Sequence, residues 1–488
     1  MSTPSELSVA KMALSMKAPW SIMPRKRLDI SYTDYLYGIY ACAKPESSRR
    51  SMERDIEKRF EDGRGSDRAG RNALVCLSVR TGLDLLLTAM RLPKGSEVIC
   101  SAVTIKDMIK VVQLHGLVPV AVDLHADTLE PRVDLLKQAI NPGKTKLIVV
   151  AHIFGVIAPL DGLCDVANEH GIPVVEDCAE AFVGPSYMGH PGATAVTFSF
   201  GTIKTTTALG GSVWIVRNGE LLQEMRRLNG QFTPRSNVFF LKRLIKYMGV
   251  SALMAPHVWG VAVRAINGVG LSWEEVITSV SRGFPGPDLI GQLRQRPSIP
   301  LLALMEHRFK HYSGESVTRR KRLSEQLAAR LEGCEGITVP GLNAKFHSYW
   351  LFPVMVHPPL EPRRVCSTML KLGYDVTSGT TQLGSVDDYV FDKTDRFLSL
   401  EPKTASSMMK SIIYLPVTQD MPEDTMLAMA DMFIKVIRKM TGKSARGGVG
   451  SARTKSTRTA ESSGGGGKDL VLNDDEDYLI PVTHVARM

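Results

Sequence analysis

Two segments of this 488-residue chain set a carboxylate and a lysine where they could serve one reaction. Ile172-Pro173-Val174-Val175-Glu176-Asp177 is an apolar run closing on an acid. Thr197-Phe198-Ser199-Phe200-Gly201-Thr202-Ile203-Lys204 is another, closing on a lysine, with Gly210-Gly211 shortly after. A lysine amine condenses with an aldehyde to a Schiff base. A carboxylate facing a ring nitrogen keeps that nitrogen protonated, so the ring can draw electrons from a substrate carbanion. This is the pair a pyridoxal phosphate (PLP) site requires. An isolated Asp and Lys would read as two surface charges; the strand-like run before each gives the pair its meaning.

Such a pair needs a rigid frame, and from Asn72 to Val216 the sequence supplies one. Strand-length apolar runs recur at Glu97-Val98-Ile99-Cys100, Val118 to Asp123, Leu147 to Ala151, Val174-Val175, Ala195 to Phe198 and Ser212 to Val216. Helix-like segments, such as Thr81 to Arg91 and Leu160 to His170, lie between them. Strands alternating with helices predict a mainly parallel sheet covered on both faces, with ligands beyond the carboxyl ends of its strands. Asp123, His152, Asp177 and Ser199 fall at such ends. His152 reads either as a cap on a strand end or as a catalytic group.

The alternation divides the rest of the chain. Residues 1–70 are polar, and Arg25-Lys26-Arg27 and Ser48-Arg49-Arg50 read as solvated charge. The sheet domain is expected over 71–235 and a helical insertion over 236–300. A small α+β domain is expected over 301–440, with a helix-like stretch Arg308 to Leu331, strands at Ser348 to Val356 and Ile412 to Pro416, and a closing helix Asp424 to Lys439. The Gly/Ser/Thr-rich segment 441–488 reads as a disordered tail. Within the insertion, Tyr247 to Val263 lacks Lys, Arg, Asp and Glu but is broken by Pro256-His257 and is too short to span a bilayer. With Lys242, Arg243 and Lys246 before it, it reads as a packing element or as a contact with an anionic membrane surface.

Composition narrows the classes. Hydrophobic residues at 44% support a globular body, and aromatic residues at 7% offer no stacking platform for nucleic acid. The net charge of +10 suits anionic ligands or an anionic surface, but no dense Lys/Arg block accompanies a nucleic-acid motif. Seven scattered cysteines without a C-x-x-C pair fit neither a disulfide framework nor a zinc site. Met1 to Ile22 has no uninterrupted apolar core of the signal-peptide kind. A cytoplasmic location is expected, peripheral to a membrane if the insertion touches lipid.

Residues 72 to 435 resemble the DegT/StrS-type family of PLP-dependent sugar aminotransferases. The likeness is carried by Glu176-Asp177-Cys178-Ala179-Glu180-Ala181-Phe182, then Ser199-Phe200-x-x-x-Lys204 and Gly210-Gly211. Gly95 to Ile99, Gly116 to Val120 with Asp123, His152-Ile153-Phe154-Gly155 and Tyr414-Leu415-Pro416-Val417 support it. The resemblance implies the type I PLP-transferase fold and a homodimer with both sites at its interface. It makes Lys204 the Schiff-base lysine and proton carrier, Asp177 the partner of the ring nitrogen and Ser199 a phosphate ligand. Arg80-Thr81-Gly82 takes the place of the family's phosphate turn, with Thr81 either a phosphate ligand or a helix cap. The reaction implied moves an amino group from an amino-acid donor to a keto sugar or related acceptor.

The chain departs from the family pattern at the site. Glu180 stands where the family carries Gln, so it is expected to place a second negative charge near the ring, to be protonated, or to pair with a cation. Ile105 follows Thr104 where an aromatic residue is usual, so aliphatic packing must serve the ring. Arg80 replaces a Gly. The family's Asn-x-Arg segment, which reaches the partner subunit's cofactor, is not recognisable in 217–300. These departures keep two alternatives open: a lyase or dehydratase with the same cofactor, which Lys204 disfavours because dehydratases of this type can carry His there, and a non-catalytic scaffold.

Overall fold

The computed structural model describes residues 4–16, 18–61, 72–271, 273, 288–378, 382–389 and 400–442. Met1–Ser444 forms one unit, and Ala445–Met488 a second in which no residue is described. The tail expected from residue 441 falls almost wholly outside the described residues.

Seven strands form the main sheet: β1 Ala73–Cys76, β2 Glu97–Ser101, β3 Val118–Val122, β4 Thr145–Ala151, β5 Val174–Asp177, β6 Ala195–Ser199 and β7 Ser212–Val216. Their order is β1-β7-β6-β5-β4-β2-β3. From β6 through β3 every neighbour is parallel, whereas β7 runs antiparallel to both β6 and β1. Side chains alternate between two apolar layers, as a period of two demands. Ile148 and Val150 join one core, with Val174 and Val196. Leu147 and Val149 join the other, with Val175 and Ala195. Both faces are covered, by helices such as Val79–Met90 and Asp161–Glu169, so the strands can be apolar almost throughout.

A second, antiparallel sheet joins Ile337–Thr338, Phe352–Val356 and Ile412–Leu415. Its core includes Leu323 and Leu327 of helix Glu315–Leu331 and Phe433 and Ile437 of helix Glu423–Met440. The single helix expected over 308–331 is two helices, Ile299–Lys310 and Glu315–Leu331. Gly314 stands between them as the N-cap of the second, at φ 76°, a left-handed conformation that does not continue a helix. The apolar stretch 237–268 likewise forms two helices, Asn237–Leu253 and Pro256–Gly268, the second starting on the proline that breaks the apolar run. Phe240, Leu244, Tyr247, Trp259 and Val263 are buried in the main core. No helix among the described residues is long and apolar enough to cross a membrane.

Of the N-terminal cations Arg50 is exposed, as expected, but Arg25, Lys26 and Arg49 are buried, contrary to the sequence reading. Arg25 and Lys26 are each 8% exposed. Arg25 donates through Nε and Nη2 to the Asp375 carboxylate at 2.9 and 2.8 Å, and through Nη1 to Thr377 at 2.9 Å. Lys26 Nζ donates to the Trp350 carbonyl at 2.5 Å, and Arg27 pairs with Asp420. Arg49 is also buried and donates to the Pro297 carbonyl. A charge can be buried when a partner replaces its water, and here the partners lie hundreds of residues away.

Candidate active site

The parallel strands set the site. Asp177 ends β5 and is paired in register with Ala151, the last residue of β4. Ser199 ends β6, the next strand, and Lys204 lies in the loop that follows. The side chains of Asp177, Ser199 and Lys204 line one cleft, open on one side.

The lysine loop is pinned from several directions. Thr207 Oγ1 donates to the Gly201 carbonyl at 2.7 Å, and Thr206 N donates to Asp29 of the N-terminal segment at 2.7 Å. Thr206 and Leu209 sit at φ 55° and 62°, a conformation rare for non-glycine residues and unusual for β-branched threonine. Gly211 turns at φ 85°, where a Cβ would meet the Met305 sulfur at 2.3 Å, so only glycine fits.

Lys204 Nζ lies 3.3 Å from Glu180 Oε1, and Glu180 Oε2 accepts from Phe154 N at 3.0 Å. Of the readings open for this unusual acid, pairing with a cation is the one realised. Lys204 Nζ also sits 3.9 Å from the Trp350 ring centroid. Gly155, at φ 98°, lets the 152–155 loop lie against the backbone of Tyr349 and Trp350, where a Cβ would meet Trp350 N at 2.4 Å.

Asp177 is 7% exposed and accepts one backbone bond, from Ala179 N to Oδ1 at 2.9 Å. Oδ2 takes no hydrogen bond from the described chain. Burial pushes this carboxyl up from 3.8 to about 6, despite the opposing pull of Lys204. A buried acid turned to a cleft with an oxygen unmatched lacks a cation, and a protonated ring nitrogen is one. The residues therefore fit PLP.

The neighbouring acid is the opposite case. Burial pushes Glu176 up, but His152 at 2.8 Å, the Tyr187 hydroxyl and His190 N outweigh it and hold the carboxyl near 2. His152 accepts from Ala158 N on Nδ1 at 3.2 Å, so its proton lies on Nε2 toward Glu176. With both ring nitrogens engaged, His152 serves as a strand-end anchor on the cleft wall.

Of the seven residues that the resemblance set at the cofactor, six line this cleft: Lys204, Asp177, Ser199, Arg80, Glu180 and Ile105. Ile105 gives the aliphatic wall expected of it, and Arg80 is neutralised by Asp107. Thr81 does not line the cleft. Its hydroxyl is buried and donates to the Leu293 carbonyl at 3.0 Å. The helix cap is Ser78, which accepts from Thr81 N at 3.1 Å and does face the cleft. Sequence reasoning missed Trp350, Arg235, Phe239 and Arg243, which also line it. Trp350 was read only as part of a strand, and Arg243 as a surface cation.

A model of the DegT/DnrJ/EryC1/StrS aminotransferase family matches residues 49–251. Among solved structures, the aminotransferase TlmJ from Streptoalloteichus hindustanus superposes with a TM-score of 0.56 at 16% identity, covering 90% of this chain and 97% of that one. The putative sugar aminotransferase Spr1654 from Streptococcus pneumoniae, in its PLP form, gives 0.58 at 18% identity over 86% and 99%. The E. coli GDP-4-keto-6-deoxy-D-mannose-3-dehydratase, with bound hydrated PLP, gives 0.59 at 16% over 85% and 99%. At these identities the likeness is one of fold.

Proposed function

We infer that this chain, whose residues 49–251 belong to the DegT/DnrJ/EryC1/StrS aminotransferase family, moves an amino group from an amino-acid donor to a keto sugar, nucleotide sugar or related acceptor. It is a PLP-dependent enzyme; donor and acceptor are our reading. The observation that carries this reading is the pair Asp177, at one strand end, and Lys204, in the loop after the neighbouring strand, both lining one cleft. PLP, when bound, supplies the electron sink that makes a carbon beside the amine acidic. Lys204 holds the cofactor and carries the proton between carbons. Asp177 keeps the ring nitrogen charged, Glu180 holds the lysine amine in place, and the Ser78 and Ser199 hydroxyls receive the phosphate. Ile105 and Trp350 exclude water around the ring.

The sugar-type acceptor is supported by the family and by the structural neighbours, one of them a putative sugar aminotransferase. Lys204 favours amino transfer over dehydration. We read the chain as a PLP-binding domain at 71–235, an insertion at 236–300 and a small domain at 301–440, working as a cytoplasmic homodimer. Exposed Tyr32, Leu36 and Tyr40, on one face of helix Tyr32–Ala41, are apolar surface that a second copy would cover. The test is direct. Purified protein incubated with PLP should gain visible absorbance, borohydride should fix the cofactor on Lys204 as read by peptide mass, and an amino-acid donor should bleach the band. No band with PLP in excess, or a fixed adduct elsewhere, refutes the assignment.

A further inference from the structure

Arg243 is set apart from the other two cations of its helix. Helix Asn237–Leu253 turns Lys242 and Lys246 outward but Arg243 into the cleft beside Lys204. Its Nε donates to the Leu209 carbonyl at 2.6 Å and its Nη2 to Thr202 Oγ1 at 2.8 Å. Both acceptors belong to the loop that carries Lys204, so the guanidinium is fixed against the part of the site that holds the cofactor. The Tyr247 ring, 5.1 Å from the guanidinium carbon, backs it.

Two other cations of the cleft have carboxylate partners. Arg80 has Asp107, and Lys204 has Glu180. Among the described residues no carboxylate pairs with Arg243, whose hydrogen bonds end on neutral oxygens. Burial pushes its pKa down, and the nearby Arg80 charge pushes the same way. A cation withdrawn from water without a counter-charge is unfavourable, and planar guanidinium is the group best shaped to grip an oxyanion. The Ser78 and Ser199 hydroxyls line the same cleft.

We propose that Arg243 binds an oxyanion that enters this cleft, the phosphate of PLP, and that the insertion thus supplies from within one chain a cofactor contact. This rests on the reading of the cleft as a PLP site. The same guanidinium could instead grip an anionic group of the substrate, and the two sources separate by experiment.

Full-length apoprotein is titrated with PLP and, separately, with pyridoxal, following tryptophan fluorescence, for wild type, Arg243→Met and Arg243→Lys. Loss of a charge-assisted hydrogen bond should weaken PLP about 10- to 100-fold in Arg243→Met. Pyridoxal, which lacks the phosphate, should bind all three equally, and Arg243→Lys should fall between. Inorganic phosphate should compete with PLP in wild type and less in Arg243→Met. Unchanged PLP affinity with a comparable rise in the half-saturating glutamate concentration, read from bleaching of the visible band, would assign the oxyanion to substrate and overturn the phosphate. PLP, pyridoxal and glutamate all indifferent to both variants, with native melting curves, would overturn the proposal altogether. If Arg243→Met does not fold, Arg243→Lys decides on the same comparisons. Wild-type protein that takes up no PLP refutes the function reading itself, an outcome distinct from uptake that ignores Arg243.

Discussion

Asp177 should make the cofactor-free protein pH-sensitive, and removing its charge should stabilise that protein. The acid is buried and pushed from 3.8 to about 6, with burial as the leading cause. A carboxyl raised in the folded state favours folding below its unfolded pKa, and that contribution is lost as pH rises through the folded value. The gap corresponds to about 3 kcal/mol. Asp177→Asn keeps the acceptor for Ala179 N but has no charge to desolvate. Cofactor-free wild type and variant should therefore differ little near about pH 4. The variant should become more stable through the window between the two values, by up to about 3 kcal/mol at about pH 8. Urea unfolding of both proteins at a series of pH values measures this, since all other titrating groups cancel in the difference. With PLP the order should reverse, because the ring nitrogen is the cation Asp177 lacks, and the variant's half-reaction with an amino-acid donor should slow severely. A stability difference that stays flat across the window, or a variant less stable at high pH, would refute the argument.

Other outcomes follow from the same contacts. Lys204→Ala should abolish both borohydride fixation and transamination, checked by peptide mass and turnover. Arg25→Ala leaves the buried Asp375 carboxylate without its bidentate partner and should cost roughly 3–5 kcal/mol in urea unfolding. A cost near zero would show that water replaces the arginine. The insertion should behave as a packing element, so the protein should not sediment with anionic vesicles at low salt. Salt-sensitive binding that is lost when Lys242 and Lys246 become Gln would show instead that this face meets lipid.

The parallel sheet and its acid–lysine pair were legible because both are local. Apolar runs such as Leu147 to Ala151 and Val174-Val175 mark strands by themselves, and strand ends then place Asp177 and Ser199. What escaped depends on rotation or distance. Lys242, Arg243 and Lys246 were read together, yet adjacent helical residues differ by about 100° around the axis, which sends Arg243 inward. Thr81 lies three residues from Ser78, one helical turn, and the sequence did not reveal which hydroxyl faced the cleft. The burial of Arg25 and Lys26 could not be seen in a run of three cations, because Asp375, Thr377 and the Trp350 carbonyl are remote in sequence.

That remoteness bears on the order of events during synthesis. Lys26 cannot dock until Trp350 exists, nor Arg25 until Asp375 and Thr377 do. Thr206, beside the lysine, meanwhile leans on Asp29 of the same early segment. The main sheet, complete by Val216, can close while the ribosome is still at work, since domains fold as they emerge. The residues made long before it must wait, with their charges in water, until the last third of the chain arrives. Competence at Lys204 is thus reached only when the chain is nearly finished, and a nascent chain stalled before Asp375 would carry the strands of an active site without its brace.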